Sequence, residues 1–213
     1  VAGESDNTPE VEVDNAWAAS DLHHVRLAQI DPRAFGPLYE RYATDVYNYS
    51  LRRLSHPEQA ADAAATVFTR AIAALPKFRP DSRREGSTFR SWLFTIAHNV
   101  VVDHYRRRRE TVSLDQHLPA LETTSHLAFT GASPESHALH SDADRTVRRL
   151  LSHLPDRQRA IVELRLAGLS GAEIAHTLSM SASAIKSAQF RAYSTLRALV
   201  LADQEPNSLE ETP

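Results

Sequence analysis

The segment Phe89–Arg109 reads FRSWLFTIAHNVVVDHYRRRR. Wound as a helix, it places Trp92, Leu93, Ile96, Ala97 and Val100 on one side, and Thr95, Asn99, Val102 and Arg106 on a second stripe about a third of a turn away. The first side suits a core and the second a partner. The segment ends in four consecutive arginines, Arg106 to Arg109, a compact positive charge beside whatever Asn99 touches. A polyanion is the obvious candidate. Taken alone, however, the plainer reading is a solvated basic helix end that complements the helix dipole.

Working outward, the 213 residues leave room for one or two domains with sizeable cores, and no apolar run approaches the length of a membrane span. A soluble protein without membrane insertion is expected. The opening VAGESDNTPEVEVD is acidic where a secretory leader would be basic and then apolar. The chain has no cysteine, which excludes disulfides, thiolate zinc sites and cysteine-held iron–sulfur clusters. The cytoplasm is the expected compartment.

The net charge of −3 hides a segregation. Residues 1–20, 111–144 and 202–213 hold five, five and four acids and no base. Residues 21–110 hold 15 basic against 10 acidic residues, and residues 145–201 hold 9 against 3. Two basic bodies are thus joined and flanked by acidic connectors, as for modules that meet a polyanion. Charge alone leaves open that the connectors are simply polar.

Residues 1 to about 16 lack periodicity and read as a disordered tail. Helical patterning begins near Trp17 and Leu22, then restarts after Asp31-Pro32, where Asp31 can cap and Pro32 take the first position. From Phe35, apolar residues Leu38, Tyr39, Tyr42, Val46 and Tyr49 to Leu54 mark a long amphipathic helix. Ser55-His56-Pro57-Glu58 breaks and recaps it. Ala60 to Leu75 is an alanine-rich helix, with Val67, Phe68, Ile72 and Leu75 inward and alanines that permit close packing. Pro76 ends it, and KFRPDSRREGST, Lys77 to Thr88, is a basic loop rich in Pro, Gly and Ser. Such a loop could cradle single-stranded nucleic acid, with Phe78, Phe89 and Trp92 available for stacking, although each aromatic also suits the core.

Residues 110 to about 137, with Pro119, Gly131 and Pro134, read as an acidic linker. His117, His126, His137 and His140 lie in or beside it at irregular spacing, and HSDAD from His140 supplies no second ligand set, so neither a metal site nor a cofactor is expected. Beyond it, Val147, Leu150, Leu151 and Leu154 form the apolar side of a helix that stops at Pro155. The next, Asp156 to Ala167, turns Ile161, Leu164 and Leu166 inward and ends at Gly168. Ser170-Gly171-Ala172-Glu173 has capping-box spacing and starts a short helix with Ile174, Ala175 and Leu178 inward. A turn at Ser179-Met180-Ser181 leads, with Ser181 as cap, into a last helix through Ile185, Phe190, Tyr193, Leu196 and Leu199. Lys186, Ser187, Gln189 and Arg191 give it a polar, basic side. Short helix, tight turn and longer helix form a helix-turn-helix pattern, and such a second helix fits the major groove, where Arg or Lys meets guanine and Gln meets adenine. A generic three-helix bundle is the bland alternative.

Three strings in order, AADAAATVFTRAIAALPKFR, FRSWLFTIAHNVVVDHYRRRR and LPDRQRAIVELRLAGLSGAEIAHTLSMSASAIKSAQFRAYSTLR, give the chain its resemblance to a bacterial RNA polymerase sigma factor of the extracytoplasmic-function group. With their connections they cover most of residues 31–199. The resemblance implies an all-α fold: a tail (1–20), a region 2 helical domain (21–110), an acidic linker (111–140), a region 4 helix-turn-helix domain (141–201) and an acidic tail (202–213). It implies promoter DNA and core RNA polymerase as partners, an anti-sigma protein as a further one, and no catalysis. Asp62, Phe68 and Arg70 would dock polymerase. The loop, with Phe78, Arg79, Arg83 and Arg84, would receive a base flipped from the minus-10 element, beside Asn99, while Arg106, Arg107, Arg108 and Arg109 hold backbone. Lys186, Ser187, Gln189, Phe190 and Arg191 would contact the minus-35 element.

Two departures bear on that carry-over. Ala65-Thr66 stands where the family usually has Gln-Glu, removing polar groups from the docking face. Ala188 stands where the family usually has an arginine, which predicts weaker or differently specified minus-35 binding. Two other readings compete: a helix-turn-helix regulator that has lost polymerase docking, and a metal hydrolase on a helical bundle, which lacks a ligand pair at helical spacing.

Overall fold

A computed structural model describes residues 9–81, 83, 85–114 and 145–204, and among them every regular element is helical. Helix α1 (Pro9–Ile30) leads to a 3-10 turn (Pro32–Phe35) and α2 (Gly36–Leu54). Helix α3 (Pro57–Ala74) and a second 3-10 turn (Leu75–Lys77) precede the basic loop, and α4 (Phe89–Leu114) follows it. In the second body, α5 is described over 145–152, then come α6 (Asp156–Leu166), α7 (Gly171–Thr177) and α8 (Ala182–Gln204).

The expected punctuation is present. Asp31 accepts from the Arg33 backbone N–H at 3.0 Å, with Pro32 opening the first 3-10 turn. Ser55 ends α2 in the left-handed region, φ 63°, its N–H bonded to the Leu51 carbonyl. Gly168, at φ 82°, closes α6 where a side chain would be strained. Ser170 and Glu173 form a reciprocal capping box at α7. Ser181 Oγ accepts from the Ala184 N–H at 3.2 Å at the start of α8.

Two helix bounds correct the sequence reading. Helix α1 starts at Pro9, within the expected tail, and α4 runs to Leu114, past the expected start of the linker. Extending an existing helix fixes one residue per added hydrogen bond, so a helix anchored in a core propagates outward through residues with no pattern of their own. No Gly or Pro follows α4 before Pro119. The linker histidines, the HSDAD segment and residues 115–144 lie outside the described residues.

In the first body Leu38, Tyr42, Val46 and Tyr49 of α2 meet Val67, Phe68 and Ala71 of α3 and Phe89, Leu93, Phe94, Ala97, Val100 and Val101 of α4. Ala60, Ala63 and Ala64 are buried too, which lets α2 and α3 approach closely. Asp21 of α1 is buried but satisfied, accepting from Arg41 and from the Tyr42 hydroxyl. Burial and the neighbouring Asp21 carboxylate push the Tyr42 phenol well above its ordinary pKa, so it stays a donor. Two inward assignments fail: Ile72 and Leu166 are exposed, the latter at 53%. Each sits at the margin of its apolar stripe, where periodicity cannot tell rim from core.

The two bodies are not independent. Among the described residues, Ile161, Leu164, Ala167, Leu169, Ile174, Ile185 and Ala188 belong to the same buried cluster as the first body, while Leu151, Leu154, Val162 and Ala192, with Val147 and Leu196 against them, form a local second core.

Candidate nucleic-acid interface

Helix α4 is built as its stripes require. Leu93, Ala97 and Val100 are buried, Trp92 and Ile96 are partly buried, and Asn99, Val102 and Arg106 face outward. The large apolar side fixes the helix, so Asn99 is presented from a rigid element. Arg107 and Arg108 are exposed as well. Their charge, after the effect of burial, helps hold His104 below its ordinary pKa, so the helix end is basic without that imidazole. The side chain of Arg109 and the residue Arg84 lie outside the described residues.

The loop before α4 offers Arg79 and Arg83, both exposed. Asp81 organises it: its carboxylate accepts from the Arg83 N–H and its own N–H donates to Ser87 Oγ, each at 3.0 Å. Phe78 departs from the expected stacking role. It is 6% exposed, with its ring 4.8 Å from Trp92 and 5.9 Å from Phe89 between centroids. Gln29 pins its carbonyl at 2.9 Å. A ring with this much apolar surface lowers its free energy more by joining the aromatic cluster than by waiting in solvent.

Phe68 lies inward, as its periodicity predicts, and so departs from the docking role that the resemblance implies. It is 5% exposed, packed edge-on against Tyr39 and Phe35, so its ring does not face a partner. What α2 and α3 present around it is Tyr39, Ile72 and Asp62. Arg70 is exposed and paired with Asp103 of α4 at 3.2 Å, a solvated contact worth well under about 1 kcal/mol and easily exchanged. Thr66, one of the departures, is half-buried and donates back to the Asp62 carbonyl at 2.8 Å.

On α8 the division is sharp. Ile185, Ala188 and Ala192 are buried, while Lys186, Ser187, Phe190 and Arg191 are exposed. Gln189 is half-buried and donates to the Tyr193 hydroxyl at 2.9 Å, which restrains it. Phe190 is 74% exposed, an uncovered aromatic in the middle of a helix. Ala188, at 3% exposure, packs inward, so an arginine in its place would have to leave a closed interior before reaching a phosphate.

Sequence reasoning passed over the polar groups that join the bodies. Glu163 of α6 is fully buried and receives Arg53 Nη1 of α2 at 3.2 Å and Arg159 Nε at 2.8 Å. Arg159 Nη2 also donates to the Arg52 carbonyl at 2.6 Å, and Tyr105 of α4 donates to the Arg53 carbonyl. Burial pushes Glu163 above the ordinary carboxylate range, and the two guanidinium groups offset only part of that. Glu173 of α7 accepts Thr88 Oγ1 at 2.6 Å, Arg90 Nε at 3.1 Å and Arg90 Nη2 at 2.8 Å, besides its capping-box bond from the Ser170 N–H at 2.9 Å. Here burial raises the carboxyl, but the bonds from Arg90 and Thr88 win and hold it below its ordinary value. Thr177 donates to the Ser91 carbonyl at 3.1 Å. Beside these contacts opens a cleft of about 810 Å³ lined by Arg53, His98, Val102 and Arg106 on one side and Arg157, Arg159 and Met180 on the other. A buried carboxylate at a helical position gives no signal in a single sequence; only the capping-box spacing singled out Glu173.

Among the described residues no helix is long and apolar enough to cross a membrane, and no group of three or more His, Asp or Glu is placed to hold a metal. Comparison with known proteins matches residues 38–111 to the family model for sigma-70 region 2 and residues 144–196 to that for sigma-70 region 4. The chain is 32% identical over 195 residues to the ECF RNA polymerase sigma factor BldN of Streptomyces coelicolor, covering 90% of this chain and 69% of the relative. It is 31% identical over 158 residues to the RNA polymerase sigma factor YlaC of Bacillus subtilis, covering 73% and 85%. Among solved structures it is similar to CnrH in complex with the cytosolic domain of CnrY, with a TM-score of 0.61 and 26% identity over 84% of this chain and 96% of that one.

Proposed function

Since this chain belongs to the extracytoplasmic-function group of RNA polymerase sigma factors, we propose how its residues divide the work of transcription initiation. Core RNA polymerase docks on the α2–α3 face around Tyr39, Asp62, Arg70 and Ile72. Arg79 and Arg83 of the loop and Asn99 of α4 receive the minus-10 strand, and Arg106 to Arg109 hold its phosphates. Phosphate contacts supply affinity without sequence, whereas Asn99 offers an amide that can pair with a base edge. Lys186, Ser187, Phe190 and Arg191 of α8 meet the minus-35 duplex.

The observation that carries this reading is the exposed face of α8. Phe190 stands in solvent between Ser187 and Arg191 while Ile185, Ala188 and Ala192 anchor the other side. An apolar group among donors suits a major groove that shows thymine methyl groups beside base acceptors. The protein acts in the cytoplasm, by binding rather than by chemistry, and an anti-sigma protein is its expected regulator. Runoff transcription with core enzyme tests the assignment. Promoter-dependent transcript should fall in Asn99→Ala and in Phe190→Ala, and full activity of both variants would sink it.

A further inference from the structure

We infer that the cleft lined by α4 and the start of α6 is a binding site for a small polyanion carrying a flat apolar group, with a nucleoside triphosphate as the chemical class that fits. The inference goes beyond the assignment of residues to promoter DNA and does not depend on it. At about 810 Å³ the cleft lies within the ~300–1,000 Å³ range of small-molecule sites. Arg53, Arg106, Arg157 and Arg159 stand on its wall, with Asp156 as the acid among them. Glu163, fully buried, accepts from Arg53 and Arg159. His98 is on the wall too, but burial and the nearby Arg53 hold it below its ordinary pKa, so it adds no charge at neutral pH. Four guanidinium groups against two carboxylates leave an excess of positive charge facing the cleft.

Two features of this wall call for an acceptor. The Arg53 side chain is only 8% exposed, and while its Nη1 donates to Glu163, its Nε is buried without a hydrogen-bond partner. A buried donor is costly to leave unpaired, and an oxyanion seated against Arg53 would relieve that cost. Helix α6 also begins at the cleft, where Asp156 and Arg157 line it, and its cap, Pro155, has no side-chain group to accept from the first-turn N–H groups. The positive end of a helix favours an anion there. Leu178 and Met180, flanking the turn into α8, and Val102 and Tyr105 of α4 give the remaining wall an apolar surface. A DNA strand alternates one phosphate with each base. Cations gathered at the start of α6, with apolar groups beside them, suit several phosphates carried on a single base.

Isothermal titration of the full chain tests this with ATP and GTP, with tripolyphosphate for the charge alone and with adenosine for the base alone. A nucleotide should saturate a single site, tripolyphosphate should bind at least about fivefold more weakly, and adenosine should give no measurable heat. Arg157→Glu on α6 and Val102→Glu on α4 change opposite walls at exposed positions, and each should weaken nucleotide binding about tenfold or more. Arg33→Glu, an exposed reversal outside the cleft, should change it less than about twofold. No saturation by either nucleotide at about 1 mM, equal binding of tripolyphosphate, or equal losses in Arg157→Glu and Arg33→Glu would each overturn the inference. So would a single-stranded deoxyoligonucleotide that displaces ATP at lower concentration than ATP itself binds, which would give the cleft to a DNA strand instead. If a variant proved unstable, the tripolyphosphate, adenosine and oligonucleotide titrations of the wild-type chain would still decide.

Discussion

Helices α4 and α8 both carry an exposed polar stripe, proposed above to meet DNA, but they are held in different ways. Behind Asn99 lie Leu93, Phe94, Ala97, Val100 and Val101, in a core that also draws on α2 and α3. Behind Lys186 and Phe190 lie Ile185 and two alanines, Ala188 and Ala192. A helix that keeps a base unstacked must resist a few kcal/mol of restoring free energy. One that lies in an intact major groove meets no such load and needs only correct placement. On the proposed assignment, the deeper anchoring of α4 suits the harder task and the small residues behind α8 the lighter one.

The contrast can be broken first at its anchor. Phe94→Ala should cost about 3–5 kcal/mol of stability, read as a lower urea midpoint, and a loss below about 1 kcal/mol would mean that α4 is not held as described. Ala188→Arg comes next. Forcing a long cation into a closed site should cost about 1–3 kcal/mol and weaken duplex binding, although the family pattern at that position would have predicted a gain. Tighter, salt-sensitive duplex binding by a fully stable variant would contradict the burial of Ala188.

Asn99→Ala should leave stability within about 0.5 kcal/mol and yet reduce open-complex formation more than duplex binding, as scored by permanganate reactivity against mobility shift. Equal losses in the two assays would erase the distinction between the helices. The smallest effect concerns pH. Glu173 sits below its ordinary value, so its contribution to the contact between the bodies is present above the ordinary carboxylate pKa of about 4.3 and is lost as pH falls through the lowered one. Glu163, raised by burial, works in the opposite direction: its contribution is lost as pH rises through the raised value. The stability difference between wild type and Glu173→Gln should therefore shrink only below about pH 4. A difference that grew on acidification would reverse the assignment.

Local signals were legible wherever their cause is local. The capping box at Ser170 and Glu173, the cap at Asp31, the stop at Gly168 and the two stripes of α4 each follow from groups within one or two turns of one another. The exposed side of α8 was legible for the same reason, and so was the basic end of α4. Aromatics in the loop and at stripe margins were not. Phe78 has the composition of a contact residue and the environment of a core residue, and only the packing of α1, α2 and α4 around it decides between these.

By itself, then, the sequence determined an all-helical chain, its caps, its helix-turn-helix and the separation of basic bodies from acidic connectors. Those depend on propensity, periodicity and charge, which a chain carries before it folds. Tertiary structure alone decided that Arg53 meets Glu163 across 110 positions and that Thr88 and Arg90 meet Glu173 across 85 and 83. Such pairs form because a buried carboxylate must find donors wherever packing brings them, and no spacing along the chain announces which donors those will be.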